Sequence, residues 1–136
     1  MNLQVGVKIF LKNREGKYLL LKRSPEKYPE VSGFWDIPGG RIILGTTLLE
    51  NLKREVKEET GLEITSLPRL IFAQDIFPKR GGHIVRLTYL ADSSASEVII
   101  DDNEHTEYRW LTQSEIKEAQ DIDLYVKEIV SEDYLK

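Results

Sequence analysis

The chain has 136 residues, with 23 acidic side chains against 19 basic ones and a net charge of −4. That is enough for one domain with a buried core, and the absence of a basic run makes sequence-independent binding of a nucleic-acid polymer a poor expectation. It contains no cysteine, which excludes disulfides, thiolate zinc sites and a cysteine nucleophile. No apolar run reaches the length of a membrane span and the N-terminus lacks a signal-peptide pattern, so a cytoplasmic protein without membrane contact is expected. No repeat, low-complexity tract or linker interrupts the sequence, and residues 1–136 are expected to form a single domain.

Val5, Val7, Ile9 and Leu11 alternate with Gly6, Lys8 and Phe10, which predicts a strand, and residues 13–16 supply turn chemistry. Tyr18 to Leu21 reads as a buried strand, so the first element is expected to be a hairpin, with Lys22 and Arg23 at its end. Ser24 to Gly33 is a polar, proline-containing loop. Phe34 to Ile37 reads as a short strand that stops at Pro38-Gly39-Gly40, where the glycines let the backbone turn and approach a ligand. Trp35 is expected in the core, with stacking on a nucleobase as the sharper alternative.

Thr47 with Glu50 forms a predicted capping box that starts a helix at Leu48, and Gly61 is its predicted C-cap. On a wheel with Leu48 at zero, Leu52, Val56 and Leu49 fall at roughly 40°, 80° and 100° and form one apolar face. Glu59 falls inside that face at roughly 20°, while Glu55 and Glu58 flank it at roughly 340° and 280°. Gathering three carboxylates at the edge of a buried stripe is costly unless they are solvated, paired or bound to a cation. Lys53, Arg54 and Lys57 point mostly away from Glu59. A hard divalent cation, Mg²⁺ or Mn²⁺, held by oxygen ligands is the third resolution.

Leu70 to Phe77 and Ile84 to Ala91 read as strands joined by the basic loop Pro78 to His83. The loop is either an ordinary hairpin tip or places Lys79, Arg80 or His83 against a substrate phosphate or ribose. Residues 93–103 read as a mobile polar connection. Thr112 with Glu115 is a second capping box, and Ile122, Val126, Ile129 and Val130 predict a final amphipathic helix. The order of elements predicts an α/β fold, a mixed sheet with helices on both faces.

The pattern Gly40-x(5)-Thr46-x(7)-Arg54-Glu55-Val56-x-Glu58-Glu59-x-Gly61-Leu62 resembles the Nudix box, G-x(5)-E-x(7)-R-E-U-x-E-E-x-G-U, with U aliphatic. The match is complete apart from Thr46, which stands where the family has its first Glu. The resemblance covers nearly the whole chain and implies a Nudix-type α/β/α sandwich, in which the box helix and the C-terminal helices flank the mixed sheet. It implies a hydrolase acting on acid anhydrides in phosphorus-containing substrates. It also implies a metal site of Glu55, Glu58, Glu59 and the Gly40 carbonyl, with Glu104, or else Glu107, as one more acidic ligand.

By the same resemblance Glu58 and Glu59 are the expected metal ligands, Glu55 is a ligand or orienting base, and Arg54 holds the carboxylates in one geometry. The general base is Glu55 or Glu104. Arg23 is a candidate phosphate contact, and Trp35, Arg80 and His83 are the other substrate-binding candidates. Thr46 and Ile43, where the family often carries acids, predict retained but weaker metal affinity. Phe77-Pro78-Lys79-Arg80-x(2)-His83-Ile84 resembles the corresponding stretch of MutT-type enzymes. A Pro at this distance beyond the box also marks ADP-ribose pyrophosphatases, and it is small size and a single domain that favour a (deoxy)nucleoside triphosphate, cleaved to monophosphate and pyrophosphate, as the expected substrate. ADP-ribose or nucleotide-sugar pyrophosphatase, dinucleoside polyphosphate hydrolase and non-hydrolysing nucleotide sensor stay open, as does a homodimer.

Overall fold

Alternation along β1 (Leu3–Lys12) divides the interior into two layers. Val7, Ile9 and Leu11 join Leu19 and Leu21 of β2 (Tyr18–Arg23) in one cluster, while Phe10 joins Tyr18 and Leu20 in the other. Both clusters sit against the same sheet, which makes its central strands apolar on both sides. The structure, a computed structural model, describes residues 2–28 and 33–135. Residues 29–32 of the predicted loop 24–33 lie outside the described residues.

The expected hairpin forms, then opens at once. Asn13 builds its turn, with the side-chain oxygen accepting from the N–H groups of Glu15 and Lys17, both at 3.0 Å. Lys12 opposite Tyr18 is the paired register between β1 and β2. Beyond it β1 pairs in parallel with the whole of β6 (His83–Asp92), and β2 pairs with β3 (Trp35–Asp36) and β7 (His105–Leu111). β6 takes the far edge of β1, so the strands part because a third strand, Gly39–Arg41, pairs with the near edge of β1 at Gly6–Lys8 while β7 takes β2. β5 (Arg69–Ile76) continues the sheet antiparallel to β6.

The stretch read as a tight glycine turn is in part a strand. β4 (Gly39–Arg41) pairs antiparallel with β1, Gly6 opposite Arg41 and Val7 opposite Gly40. Gly39 has φ 138°, and a Cβ there would lie 2.0 Å from the Val7 carbonyl oxygen, so only glycine allows this approach.

α1 (Leu48–Thr60) has the predicted bounds. The Thr47 hydroxyl accepts from the Glu50 N–H at 3.1 Å, and Gly61 ends the helix at φ 72° with its N–H on the Lys57 carbonyl. The reciprocal half of this capping box does not form among the described residues, whereas the box at Thr112 and Glu115 forms in full and opens α2 (Gln113–Glu118). α3 (Leu124–Ser131) starts two residues later than Ile122, because Asp123 caps it at the N–H groups of Tyr125 and Val126. Leu52 and Val56 of α1 cover one side of the sheet; Ile116, Val126, Ile129 and Val130 cover the other. Helices on both faces of a mixed sheet are the arrangement the sequence predicts.

Residues 93–103, read as mobile, are anchored instead. Val98 is buried in the first cluster, Ile99 donates to the Thr60 carbonyl at 3.0 Å, and Trp110 Nε1 donates to the Ser96 carbonyl at 2.9 Å. The apolar run 98–100 inside a polar stretch is what holds it. No helix among the described residues is long and apolar enough to cross a membrane.

Candidate active site

A cleft of about 670 Å³ opens over β1 and β4, and α1 aims its acidic flank into it. Gly40, Glu55, Glu58, Glu59 and Glu104 line this cleft, so residues far apart in sequence meet where they were expected to. A Cβ on Gly40 would fall 2.8 Å from Glu55 Oε1; the missing side chain is what lets that carboxylate lie against the strand. Glu59 is only 6% exposed and accepts from the Gly39 N–H at 2.8 Å through Oε1. The wheel position of Glu59 inside the apolar face is therefore its position in the fold.

Electrostatics follow from burial. Burial raises the Glu59 carboxyl to about 7, against the opposing pull of the Lys8 ammonium and the Gly39 amide. Glu55 is also raised by burial, which outweighs Arg54 beside it. His105 is pushed down to about 4 by burial and by Lys8, so its imidazole is neutral near pH 7. Glu59, Glu104 and His105 each bring a ligand atom to within 4.8 Å of the others. His105 Nδ1 is buried with no hydrogen-bond partner. Two carboxylates and a neutral imidazole gathered at this spacing are a donor set that fits a divalent cation.

Beneath the cleft lies a buried ionic floor that sequence reading missed. Asp36 meets Lys8 at 3.0 Å, Arg86 at 2.9 Å and the Arg23 guanidinium; Asp123 meets Arg23 at 3.3 Å and Arg86 at 3.7 Å. Burial alone would raise the Asp36 carboxyl, but Arg86, Lys8 and Arg23 reverse this and hold it well below the usual carboxylate range. Three cations against two carboxylates leave one positive charge in excess under the acidic wall. Lys8, Asp36 and Arg86 each interrupt an apolar strand sequence, and that interruption was the available signal, since a charge inside a strand core needs a partner.

The other candidates are placed differently. Arg23 lines the cleft, but its guanidinium is engaged by Asp36, Asp123 and the Gly33 carbonyl rather than free for a phosphate. Trp35 is buried at 6% in the second cluster with Arg109 stacked 4.6 Å above its ring, which leaves no face for a base. Arg80 and His83 line a separate cavity of about 220 Å³ at the β5–β6 tip, which shares Arg41 and Ile84 with the main cleft. His83 is held there by Asp75 at 2.7 Å and by stacking on Phe77. Both belong to the hairpin tip and line this neighbouring cavity rather than the main cleft.

Arg54 lies outside the cleft lining and bridges Glu55 and Glu58, each at 3.2 Å. Thr46, the departure from the box, is bonded into a neutral chain. Its hydroxyl donates to the Ile43 carbonyl at 2.6 Å and accepts from Asn51 Nδ2 at 2.7 Å, while Asn51 Oδ1 accepts from Arg54 at 3.1 Å. Arg54 is thus tethered to the loop without a charge at position 46.

A family model described as the NUDIX domain matches residues 2–130. The NAD-capped RNA hydrolase NudC of Vibrio vulnificus is 30% identical over 103 residues, 76% of this chain and 37% of that protein. The ADP-ribose pyrophosphatase of Methanocaldococcus jannaschii is 32% identical over 87 residues, 62% of this chain and 48% of that protein. The chain therefore matches less than half the length of either relative. A MutT protein from Methanosarcina mazei Go1 has the same fold at TM-score 0.80 and 24% identity, over 96% of this chain and 92% of its own. A MutT NUDIX hydrolase from Burkholderia pseudomallei matches at TM-score 0.78 and 25% identity, over 97% of this chain and 98% of its own. With a family model spanning almost the whole sequence, and the box residues gathered on one cleft, this chain belongs to the Nudix family.

Proposed function

We propose that the chain hydrolyses a diphosphate linkage in a nucleotide derivative with the help of a divalent cation, Mg²⁺ or Mn²⁺. Its proposed reaction converts a (deoxy)nucleoside triphosphate to the monophosphate and pyrophosphate. The observation that carries this reading is the convergence of Glu55, Glu58, Glu59 and Glu104 on one cleft above a floor with an excess positive charge. A polyphosphate chain needs both, an acidic wall to hold cations and a cationic base to draw it in.

Glu59 and Glu104 are the residues that would hold the cation, since their oxygens already lie in one cluster, and Gly40 lines the same cleft. When bound, the cation supplies charge neutralisation for the phosphate oxygens and acidifies water. Glu55 lies outside that cluster, partly buried and raised by burial, which suits a group that takes a proton. In the reaction a water oxygen forms a bond to phosphorus, the bridging P–O bond breaks, Glu55 takes the water proton and the leaving phosphate carries away the bond pair. Arg54 fixes the rotamers of Glu55 and Glu58 through its paired contacts.

The test is a substrate panel with product identification: nucleoside triphosphates, ADP-ribose, dinucleoside polyphosphates and RNA with a 5′ NAD cap, each with Mg²⁺ and with Mn²⁺. ADP-ribose and capped RNA belong in the panel because two relatives are named for them. Nucleoside monophosphate and pyrophosphate in equal amounts support the proposed reaction. Faster cleavage of ADP-ribose or capped RNA replaces the substrate and keeps the chemistry. Binding without turnover on every compound turns the reading to a nucleotide sensor.

A further inference from the structure

The reading above asks only for oxygen donors, yet one member of the cluster is an imidazole. His105 opens β7 opposite Arg23, at the point where the β2–β7 register shifts between Lys22 and Arg23. Such an irregularity re-aims a side chain that regular pairing would send elsewhere. The ring is 7% exposed and forms no hydrogen bond among the described residues; Nδ1 is buried and unpartnered, and Nε2 stands 4.0 Å from Glu59 Oε2. A histidine that merely fills a core has its ring nitrogens paired. This one leaves Nδ1 unpaired and turns Nε2 toward the carboxylate of Glu59.

The distances suit a shared ion. Two donors on opposite sides of a cation with bonds of about 2.1 Å stand about 4.2 Å apart, so a cluster spanning 4.8 Å closes by about 0.6 Å to hold one. Glu59 keeps Oε1 on the Gly39 N–H and leaves Oε2 toward His105. Glu104 is held meanwhile by Lys27 at 3.2 Å, an exposed pair that a cation displaces easily.

We infer that His105 is a nitrogen ligand of the metal centre, beside oxygens from Glu59 and Glu104, and that it turns the preference of the site from Mg²⁺ toward Mn²⁺ and Co²⁺. Imidazole suits borderline transition metals, while Mg²⁺ favours oxygen and gives up its waters reluctantly. The inference rests on the metal-dependent reading of the cleft.

The test is electron spin echo envelope modulation on Mn²⁺-loaded wild type, His105→Gln and His83→Gln, with Mn²⁺ and Mg²⁺ binding isotherms on the same proteins. The chain has two histidines, so the assignment is unambiguous. Imidazole-type nitrogen coupling is expected in wild type and His83→Gln and absent in His105→Gln. The same variant is expected to bind Mn²⁺ about tenfold more weakly or worse, with Mg²⁺ affinity changed less than about twofold. Bound Mn²⁺ without imidazole coupling in wild type overturns this inference alone, and so does coupling that survives in His105→Gln or an equal loss of both metals. The wild-type spectrum decides even if the variant fails to fold. Failure of wild type to bind Mn²⁺ at all overturns the metal reading of the cleft together with this inference.

Discussion

Glu59 and His105 are two buried ionisable groups displaced in opposite senses. In the metal-free protein Glu59 is raised from 4.5 to about 7, so its contribution is fully present below pH 4.5 and is lost as pH rises through about 7. His105 is lowered from 6.5 to about 4, so its contribution is present above pH 6.5 and is lost as pH falls through about 4. Each amounts to about 3 kcal/mol, and over the shared window they cancel. His105→Gln is therefore expected to lose about 3 kcal/mol relative to wild type between pH 4.5 and 7, and Glu59→Gln to gain as much between pH 4 and 6.5. Urea unfolding in chelator at stepped pH checks this; variant curves parallel to wild type would sink it. Glu59 was legible in the sequence because a helix wheel fixes its face. His105 was not, because its direction depends on a register shift where Arg23 pairs with His105, positions far apart in sequence and adjacent only in the fold.

At the scale of elements, the box helix and its approach loop behave as one hydrogen-bonded unit. Asn51, 1% exposed, joins three parts of it: Oδ1 accepts from the Ile43 N–H and Arg54, and Nδ2 donates to Thr46. Asn51→Ala strands these groups and is expected to cost about 2 kcal/mol in unfolding free energy. A loss below about 0.5 kcal/mol would show that the loop is held otherwise. The helix bounds were legible to the residue because caps are local chemistry at Thr47 and Gly61. The parting of the first hairpin and the β4 strand were not, since a strand's choice of partner is settled by distant residues such as those of β7.

For the whole molecule, the two apolar layers and the ionic floor set the stage for the cleft. The layers were readable from period-two alternation in β1 and β2 and period-3.6 faces in the helices. The floor was not, although Lys8, Asp36 and Arg86 announce it as charges within apolar strands. Asp36→Asn leaves Lys8, Arg23 and Arg86 facing Asp123 alone and is expected to destabilise by about 3–5 kcal/mol, read as a lower denaturant midpoint. An unchanged midpoint would mean that water, not Asp36, carries the compensation. We propose that the buried Glu59 carboxylate of α1 serves metal-dependent hydrolysis. The most direct test is steady-state turnover of Glu59→Gln against wild type on the best substrate of the panel, at saturating Mg²⁺ or Mn²⁺. The account predicts a loss on the order of a thousandfold with the fold retained by circular dichroism; turnover near the wild-type rate would contradict it.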